Sequence, residues 1–503
     1  MDKKGRILRL NIISSLIFQV VYALTGLIHP KLLLAAFGSE LYGLTLSVAR
    51  FLSLMSLAEG GITAVVAANL YKPLANKDNK KVSEIVDAAD IYYRRIGLAY
   101  LVYALLMGFI YPLFVKGYGT SLVLPLSILS ALPTVMAYFT WRTLRSLVSA
   151  DERSYIVNAE LSITAIVNVL FVFIATRISK DVLFIKFATF LAYIVQPLIY
   201  YYYCKKEYNF LKRKLSFKKQ GEPLPQRRDG FSHSLADYIH GNTDYYVLTL
   251  FSNLVNVAIY GVYEMVIASL RNAVSSIATS LSPSFGKIFA SKNKEESRDF
   301  FDEYEQIVNF LIVIIFSCVA VLLIPFVKIY TADIHDANYV YPLFGAIFTI
   351  AGISDCLRLP YIEASRAAGR FKETKIIAYG EAAINLILSV ILVIKYDLVG
   401  VVIATSIAMS FRAVAEGIYV SNNILDRSIF KLIYKFIICI GCIALNYFVC
   451  SRVFSYDVNG YLGWFIVAIK TGLLSLAITS AIYYIFDRKT FMRTIKVLMN
   501  KEK

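Results

Sequence analysis

The chain has 503 residues, of which 58% are hydrophobic and only 17% are charged, and its mean hydropathy is +0.60. A water-soluble protein carries about 25% charged residues, so this composition excludes an ordinary soluble enzyme or binding domain and indicates a protein that lies in lipid. The net charge of +17 does not predict a nucleic acid partner, because the basic residues lie in short segments between long apolar runs.

A membrane-spanning helix needs about 20 predominantly apolar residues. About fourteen runs of this kind predict an all-α polytopic membrane protein. In chain order, the predicted spans are 10–34, 41–70, 92–115, 121–147, 155–176, 182–204, 231–253, 256–285, 304–328, 339–364, 375–395, 398–421, 431–452 and 460–486. The connections between spans 1 and 2, spans 7 and 8, and spans 11 and 12 are very short.

Lys and Arg residues are concentrated in every second connection. Cytoplasmic loops carry this excess of positive charge in membrane proteins. The segments predicted to be cytoplasmic are 1–9, 72–95, 142–153, 205–228, 287–298, 366–375, 427–435 and 488–503. The pattern therefore predicts that both termini are cytoplasmic.

The two halves of the sequence resemble each other. The segment YKPLANKDNKK after span 2 is similar to GKIFASKNKEE after span 8, and Glu160 in span 5 has a counterpart, Glu381, in span 11. Either this similarity is coincidence among apolar sequences, or the chain has two six-helix lobes in parallel pseudo-symmetry. The second interpretation predicts an N-lobe at 1–204, a basic cytoplasmic linker at 205–230, a C-lobe at 231–425, and spans 13 and 14 with a basic tail at 426–503.

Four arginines lie at hydrocarbon depth in the predicted spans, where a charge costs roughly 2.5–3.5 kcal/mol on insertion scales. They are Arg50, Arg271, Arg358 and Arg412. Arg50 has no acidic residue three or four positions away, and Glu59 is predicted to point to the opposite side of the same helix. An arginine without such a local partner indicates a polar cavity that several spans share.

The other three arginines each have an acidic residue on the same face of their own helix. The pairs are Glu264 with Arg271, Asp355 with Arg358, and Arg412 with Glu416. These pairs have two interpretations. They are local ion pairs that let the helix enter the membrane, or their arginines line the same cavity as Arg50 and bind an anionic substrate.

Span 7 carries Asp237, His240 and Asp244, whose spacings of three and four place them on one helical face. A buried carboxyl group of this kind can take up and release a proton or bind a sodium ion. Together with Glu59, these residues are the candidates for ion coupling. The alternative interpretation is that the acidic stripe of span 7 pairs with arginines on other spans.

Span 1 contains Pro30 between His29 and Lys31. Proline removes a backbone hydrogen bond, so a bend is predicted here. The bend is either a mobile gate, with His29 and Lys31 in contact with the substrate, or a static kink. Three further prolines interrupt predicted spans: Pro133, Pro197 and Pro360.

The sequence contains no recognisable catalytic arrangement. It lacks a nucleotide-binding glycine loop followed by Lys and Ser or Thr. Its four histidines do not have metal-ligand spacing, and its six cysteines lie in or beside apolar runs. We therefore expect a transporter without a cofactor or metal. A membrane glycosyltransferase or polysaccharide polymerase is the enzyme alternative, and it would need a sizeable domain outside the membrane.

Four segments carry a resemblance to a known family. They are RLNIISSLIFQVVYALTGLIHPKLLLAAFGSELYGL at the start, LAEGGITAVVAANLYKPLANKD after it, and TDYYVLTLFSNLVNVAIYGVYEMV and RAAGRFKETKIIAYGEAAINLIL in the second half. These segments resemble the polysaccharide transporter branch of the multidrug/oligosaccharidyl-lipid/polysaccharide exporter superfamily. That branch includes O-unit flippases of the Wzx type.

The resemblance implies a V-shaped pair of lobes that alternates access to a central cationic cavity. It implies a flippase of the bacterial cytoplasmic membrane that moves an undecaprenyl-pyrophosphate-linked oligosaccharide to the outer leaflet, for O-antigen, capsule or exopolysaccharide synthesis. Arg50 and Arg271 occupy spans 2 and 8, where related flippases have cavity arginines. The expected partners are this glycan lipid, membrane lipids, and polysaccharide polymerase and ligase machinery.

Two transport alternatives remain open within the same fold. A cation-coupled multidrug or small-molecule exporter would have an acidic cavity, which the arginines in the spans argue against. A lipid II flippase would carry a different lipid-linked substrate. Spans 13 and 14 resemble an additional pair of helices in that flippase.

Overall fold

The computed structural model describes residues 3–59, 61–211, 238, 241–280, 288, 294–454, 458 and 460–498. The regular secondary structure of these residues is entirely helical, as the composition predicts. The chain forms two compact units, Met1–Ala258 and Ile259–Lys503. The division into an N-lobe, a basic linker, a C-lobe and a final pair of spans with a basic tail stays a prediction.

The first unit contains nine helices in the described residues, with α10 beginning near its end. They are α1 (Lys3–Ser53), followed by a 3₁₀ segment (Leu54–Glu59), α2 (Ile62–Ala75), α3 (Asn79–Phe114), α4 (Thr120–Thr140), α5 (Arg142–Ala150), α6 (Ser154–Ile178), α7 (Val182–Tyr193), α8 (Val195–Glu207) and α9 (241–251).

The second unit contains most of α10 and the remaining helices. They are α10 (Leu254–Ser280), α11 (Lys294–Tyr330), α12 (Pro342–Leu357), α13 (Leu359–Ala367), α14 (Phe371–Val420), followed by a π-helical turn (Ser421–Leu425), α15 (Ile429–Val453), α16 (Gly460–Phe486) and α17 (Arg488–Leu498).

Within the described residues, eleven helical segments are long and apolar enough to cross a membrane. Two of them, Gly5–Ala75 and Glu373–Leu425, are far longer than the roughly 20 residues that a bilayer requires. The backbone leaves the helical conformation at Gly38 (φ 76°, ψ 176°) in the first and at Asp397 (φ 50°, ψ −132°) in the second. The very short connections predicted between spans 1 and 2 and between spans 11 and 12 are therefore confirmed.

Two prolines mark interruptions within spans. A new helix begins at Val195, just before Pro197, and another begins at Leu359, just before Pro360. A proline has no N–H group and disfavours the helical conformation of the preceding residue. At Pro30, by contrast, the backbone keeps helical dihedral angles, and the departure in α1 lies further along the chain at Gly38.

The outward faces of the helices are strongly apolar. Leu113 is 77% exposed, Ile394 is 75% exposed and Phe430 is 82% exposed. Side chains of this kind at high exposure mark a surface that contacts lipid rather than water. The residues are helical because a chain in lipid must satisfy its backbone hydrogen bonds internally. The protein is thus a multi-pass membrane protein.

Predicted spans 13 and 14 belong to the second unit and pack against α11. The Trp464 Nε1 atom of α16 donates a hydrogen bond to the Leu322 carbonyl oxygen at 3.1 Å. The Lys435 Nζ atom of α15 lies 2.9 Å from the Glu305 Oε2 atom. Polar contacts in both halves of α11 therefore tie this pair of helices to the rest of the unit.

Candidate functional site

Arg50 lies in the last turn of α1, inside predicted span 2. Its Nη1 atom donates to the Oδ1 atom of Asn242 at 3.3 Å, and its Cζ atom lies 4.1 Å from the centre of the Tyr245 ring. Both partners are buried residues of α9, and Arg50 itself is half-buried. The carbonyl dipoles at a helix C-terminus also favour a cation. These contacts with an amide and an aromatic ring orient the guanidinium.

Span 2 is interrupted next to Arg50. The α-helix ends at Ser53, a 3₁₀ segment covers Leu54–Glu59, and α2 begins at Ile62. Gly61 has a φ of 75°, a left-handed conformation that glycine adopts without strain. Interrupted helices are the usual positions of substrate sites in transporters, because they expose polar backbone groups within the membrane.

Tyrosine hydroxyls satisfy backbone carbonyls at this interruption. Tyr246 donates to the Arg50 carbonyl oxygen at 2.8 Å, and Tyr103 of α3 donates to the Phe51 carbonyl oxygen at 2.9 Å. Tyr238 donates to the same Arg50 carbonyl at 3.2 Å. A carbonyl that lacks a donor is costly in lipid. The tyrosines therefore stabilise the end of the helix that carries Arg50.

Glu59 does not lie on the α-helix of Arg50, because that helix ends before it. The prediction that Glu59 points to the opposite side of one continuous helix is therefore wrong. Its carboxylate contacts Arg142, the first residue of α5, whose Nη2 atom lies 2.8 Å from each carboxylate oxygen. Sequence reasoning missed this pair, since the two residues are far apart in the chain. A role for Glu59 in ion coupling stays a prediction.

In the second unit, two predicted local ion pairs are joined into one chain of charges. Arg271 Nη2 lies 3.3 Å from Glu264 Oε1, and Arg271 Nη1 lies 3.1 Å from Asp355 Oδ2. Arg358 in turn contacts Asp355 Oδ1 at 2.5 Å. The pairings of Glu264 with Arg271 and of Asp355 with Arg358 are therefore confirmed. Arg271 is the more accessible arginine, with a side chain that is 27% exposed against 11% for Arg358.

Arg412 is the most deeply buried of the four predicted arginines. Its side chain is 8% exposed, and its Nη1 atom lies 2.7 Å from Glu381 Oε2. The predicted pair with Glu416 is also present, at a longer distance of 3.4 Å. Breaking a buried ion pair is costly because it leaves an uncompensated charge. Burial and pairing therefore favour the structural interpretation for Arg412, and its contact with a substrate stays a prediction.

The remaining predicted residues lie in the first unit. His29 and Lys31 are half-buried in α1, and the His29 Nε2 atom is buried without a hydrogen-bond partner among the described residues. Asp244 is buried in α9, with 4% of its surface exposed. Asp237 and His240 lie outside the described residues. The predicted stripe on span 7 therefore stays a prediction.

A further ion cluster lies in the N-terminal part of α11 in the second unit. Arg427, in the connection between the π-helical turn and α15, contacts Glu305 Oε2 at 2.6 Å and Asp302 Oδ1 at 2.9 Å. Burial alone would lower the pKa of Arg427, but the carboxylate of Glu305 outweighs burial and raises the pKa above its usual range. The cluster keeps Arg427 charged and joins α11 to α15.

The arrangement offers charge and hydrogen bonds rather than covalent chemistry. Within the part of the chain that the structure describes, no group of three or more His, Cys, Asp or Glu side chains is placed to hold a metal ion. The six cysteines are free thiols. Guanidinium groups inside spans suit the binding of a phosphate-like anion, because they donate several charge-assisted hydrogen bonds at once.

The helical architecture is similar to that of several solved membrane transporters. The chain is similar to the lipid II flippase MurJ in an inward closed conformation, with 17% identity over 94% of this chain and 98% of MurJ and a TM-score of 0.68. It is also similar to an inward-facing multidrug resistance MATE family transporter, with 13% identity over 81% of this chain and 97% of that one and a TM-score of 0.62. A MOP superfamily transporter from Pyrococcus furiosus has a TM-score of 0.55 at 14% identity, over 85% and 98% of the two chains. The chain therefore shares its fold with these solved transporters.

The family follows from the sequence itself. The profile of the polysaccharide biosynthesis protein family matches residues 8–289, which is more than half of the chain. The chain belongs to this family, and the resemblance drawn from its sequence segments is confirmed. No curated protein sequence is similar enough to count as a match. The family is one of polysaccharide biosynthesis proteins, and the fold is shared with solved flippases and exporters.

Proposed function

We propose that the protein is a flippase that moves an undecaprenyl-pyrophosphate-linked oligosaccharide from the cytoplasmic to the outer leaflet of a bacterial cytoplasmic membrane. The family supports the polysaccharide pathway. The observation that carries the proposal is the position of Arg50, a half-buried guanidinium at the interruption of a span, held by an amide and an aromatic ring. This is a suitable environment for a diphosphate headgroup.

The physical task explains why a cation is needed there. A diphosphate cannot enter hydrocarbon without losing its hydration shell, and that loss is very costly for a charged group. An arginine replaces water with directed, charge-assisted hydrogen bonds. In the second unit, Arg271 is the arginine best suited to the same role, because its side chain is more exposed than those of Arg358 and Arg412. Both chain termini are proposed to be cytoplasmic, from the distribution of basic residues.

Deletion of the gene in its own host tests this function. The deletion strain should lose its surface polysaccharide and accumulate the lipid-linked oligosaccharide. In spheroplasts, a membrane-impermeant lectin should not bind this glycan, because it stays on the cytoplasmic leaflet. A plasmid that carries the intact gene should restore both properties. Arg50→Ala should fail to restore them at normal protein levels, whereas Arg177→Ala, an exposed arginine at the end of α6, should succeed.

The possible results distinguish an error in the flippase function from an error in the assignment of Arg50. If the deletion strain keeps its surface polysaccharide and accumulates no intermediate, the flippase function is wrong. If the deletion has the expected effect but Arg50→Ala restores transport fully, only the assignment of Arg50 is wrong.

Lipid II transport is the second candidate, because the structural similarity to MurJ extends over 94% of this chain. It predicts a different phenotype in the same experiment. Loss of a lipid II flippase stops cell-wall synthesis, so depletion should cause lysis. Loss of the proposed function should leave cells viable without their surface polysaccharide. Increased drug sensitivity alone would instead favour a multidrug exporter.

A further inference from the structure

A second polar site lies in the interior of the first unit, away from Arg50. Glu160 of α6 is completely buried, and its Oε2 atom accepts a hydrogen bond from Tyr200 of α8 at 3.4 Å. Its other oxygen, Oε1, is buried without a hydrogen-bond partner among the described residues. No cation in that part of the chain lies within ion-pair distance of this carboxyl group.

Other buried polar atoms accompany this carboxyl group. The Trp141 ring stacks on Tyr200, with ring centres 5.5 Å apart and planes within 5°, and its Nε1 donor has no partner in the described residues. Thr164 and Asn168 follow Glu160 at successive four-residue intervals on α6, and each has a buried oxygen without a partner there. Buried polar groups are nearly always satisfied by protein or by ordered water. We therefore expect water at each of these four atoms, with Thr164 one turn and Asn168 two turns along α6 from Glu160.

The surroundings of Glu160 include few charges. Arg145 and Arg142 of α5 are close enough to act on it electrostatically without forming an ion pair, while Tyr200 and Gln196 of α8 lie beside it. On α7, Tyr193 is its titratable neighbour. The polar contacts that join α1 to α6 involve other residues: Asn11 with Tyr155 and Ser14 with Asn158.

The matching residue of the second unit has a different environment. Glu381 is the counterpart of Glu160 in the predicted sequence repeat, and it too is completely buried. Unlike Glu160, it contacts a guanidinium, that of Arg412, at 2.7 Å. An ion pair keeps a buried carboxylate charged, whereas burial without one favours the neutral acid. The same residue type at matched positions is therefore expected to be charged in one unit and neutral in the other.

We propose that Glu160 is a proton-binding site of the first unit, held as the neutral acid and served by water molecules on Trp141, Thr164 and Asn168. Tyr200 and these waters stabilise the protonated form. When the proton leaves through the waters, the carboxylate needs a cation. Arg145, whose Cζ atom lies 5.9 Å from the centre of the Trp141 ring, is the arginine of α5 that Glu59 does not already bind. This site is independent of which substrate the protein carries.

Infrared difference spectroscopy on the purified full-length protein tests the proposal directly. A protonated carboxylic acid has a carbonyl-stretch band that shifts in deuterium oxide and that a carboxylate lacks. Wild-type protein at neutral pH should show this band, and Glu160→Gln should remove its Glu160 component. Glu160→Asp should shift the frequency of that component. This variant keeps a carboxyl group, so it provides a second test if Glu160→Gln does not fold. Glu381→Gln should leave it in place.

The response to pH tests the part that Arg145 plays. Removing a nearby positive charge makes the carboxylate less favourable, so in Arg145→Gln the Glu160 band should persist to higher pH than in the wild type. An unchanged titration would exclude Arg145 as the partner of the charged form. A wild-type spectrum without the band, or a band of equal intensity in wild type and folded Glu160→Gln, would overturn the proton site. None of these results depends on the transport assay, so they are distinguishable from a failure of the flippase function.

Discussion

The Nη2 atom of Arg142 lies 2.8 Å from both carboxylate oxygens of Glu59. The contact joins the 3₁₀ segment of span 2 to the first residue of α5. Both side chains are largely buried, with 17% of Glu59 and 27% of Arg142 exposed. Arg50 lies just before the 3₁₀ segment, and Glu59 at the end of that segment is thus anchored to α5.

Glu59→Gln should weaken this anchor. The guanidinium of Arg142 would lose its charged partner, which costs roughly 1–3 kcal/mol for a buried group and less where water screens the charge. We expect a lower thermal unfolding midpoint for the purified protein and partial recovery in the charge-swapped double variant Glu59→Arg with Arg142→Glu. Glu373→Gln provides a control, since its pair with Arg370 is well exposed. Equal unfolding midpoints for Glu59→Gln and Glu373→Gln would contradict the prediction.

Arg50→Lys should reduce transport although it keeps the positive charge. Lysine has no planar group to lie over Tyr245, and a cation–π contact contributes about 1–2 kcal/mol when shielded from water. A loss of about 1.4 kcal/mol corresponds to roughly tenfold, so we expect surface polysaccharide to recover about tenfold more slowly. The measurement is the rate of recovery after induction in the deletion strain. Recovery at the wild-type rate would mean that charge alone suffices at this position.

Arg412→Ala should impair folding rather than transport alone. It would leave Glu381 and Glu416 buried without their guanidinium, and breaking such a pair costs about 3–5 kcal/mol. We expect a strong loss of monodisperse protein on size-exclusion chromatography, and a return of folded protein when all three residues are replaced by leucine. Well-folded Arg412→Ala protein that does not transport would instead place Arg412 in the substrate site.

The sequence predicts contacts within a helix far better than contacts between helices. The pairs of Arg271 with Glu264 and of Arg358 with Asp355 follow from helical spacing alone, and both are present. The contact of Arg142 with Glu59 depends on where two interrupted spans meet. No periodicity in either segment contains that information, and this is why the sequence predicted no partner for Glu59 on another helix.

Within the predicted spans, a proline marked some of the interruptions but not all: Pro30 and Pro133 lie inside continuous helices. Pro197 and Pro360 mark breaks because proline lacks a donor. The 3₁₀ segment Leu54–Glu59 contains apolar residues that suit a helix equally well, so hydropathy extends span 2 straight through it. The tyrosine hydroxyls that satisfy the carbonyls at this break come from distant parts of the chain. The break depends on tertiary contacts that composition does not specify.

The ion cluster around Arg427 should stabilise the packing of α15 against α11 in the second unit. Arg427→Ala would leave Glu305, which is fully buried, with fewer charged partners. We expect a lower unfolding midpoint and faster proteolysis in the connection before α15. Lys294→Ala is the control, because its contact with Asp426 is well exposed. Unchanged stability and proteolysis in Arg427→Ala would mean that apolar packing alone holds α15.

Gly43 and Gly26 offer a matched pair of substitutions on α1. A Cβ atom on Gly43 would lie 1.8 Å from the carbonyl oxygen of Leu254, the first residue of α10, whereas a Cβ atom on Gly26 meets nothing within 4 Å. A backbone carbonyl cannot move aside as a flexible side chain can, so Gly43→Ala must push the two helices apart. Overpacking of this kind costs about 1–3 kcal/mol.

We therefore expect Gly43→Ala to lower the unfolding midpoint and the yield of folded protein. Gly26→Ala should be neutral or slightly stabilising, because alanine favours a helix more than glycine does. Thermal unfolding of both variants in the same detergent provides the comparison. If Gly43→Ala were as stable as Gly26→Ala, α1 and the start of α10 could not approach each other as closely as the structure places them.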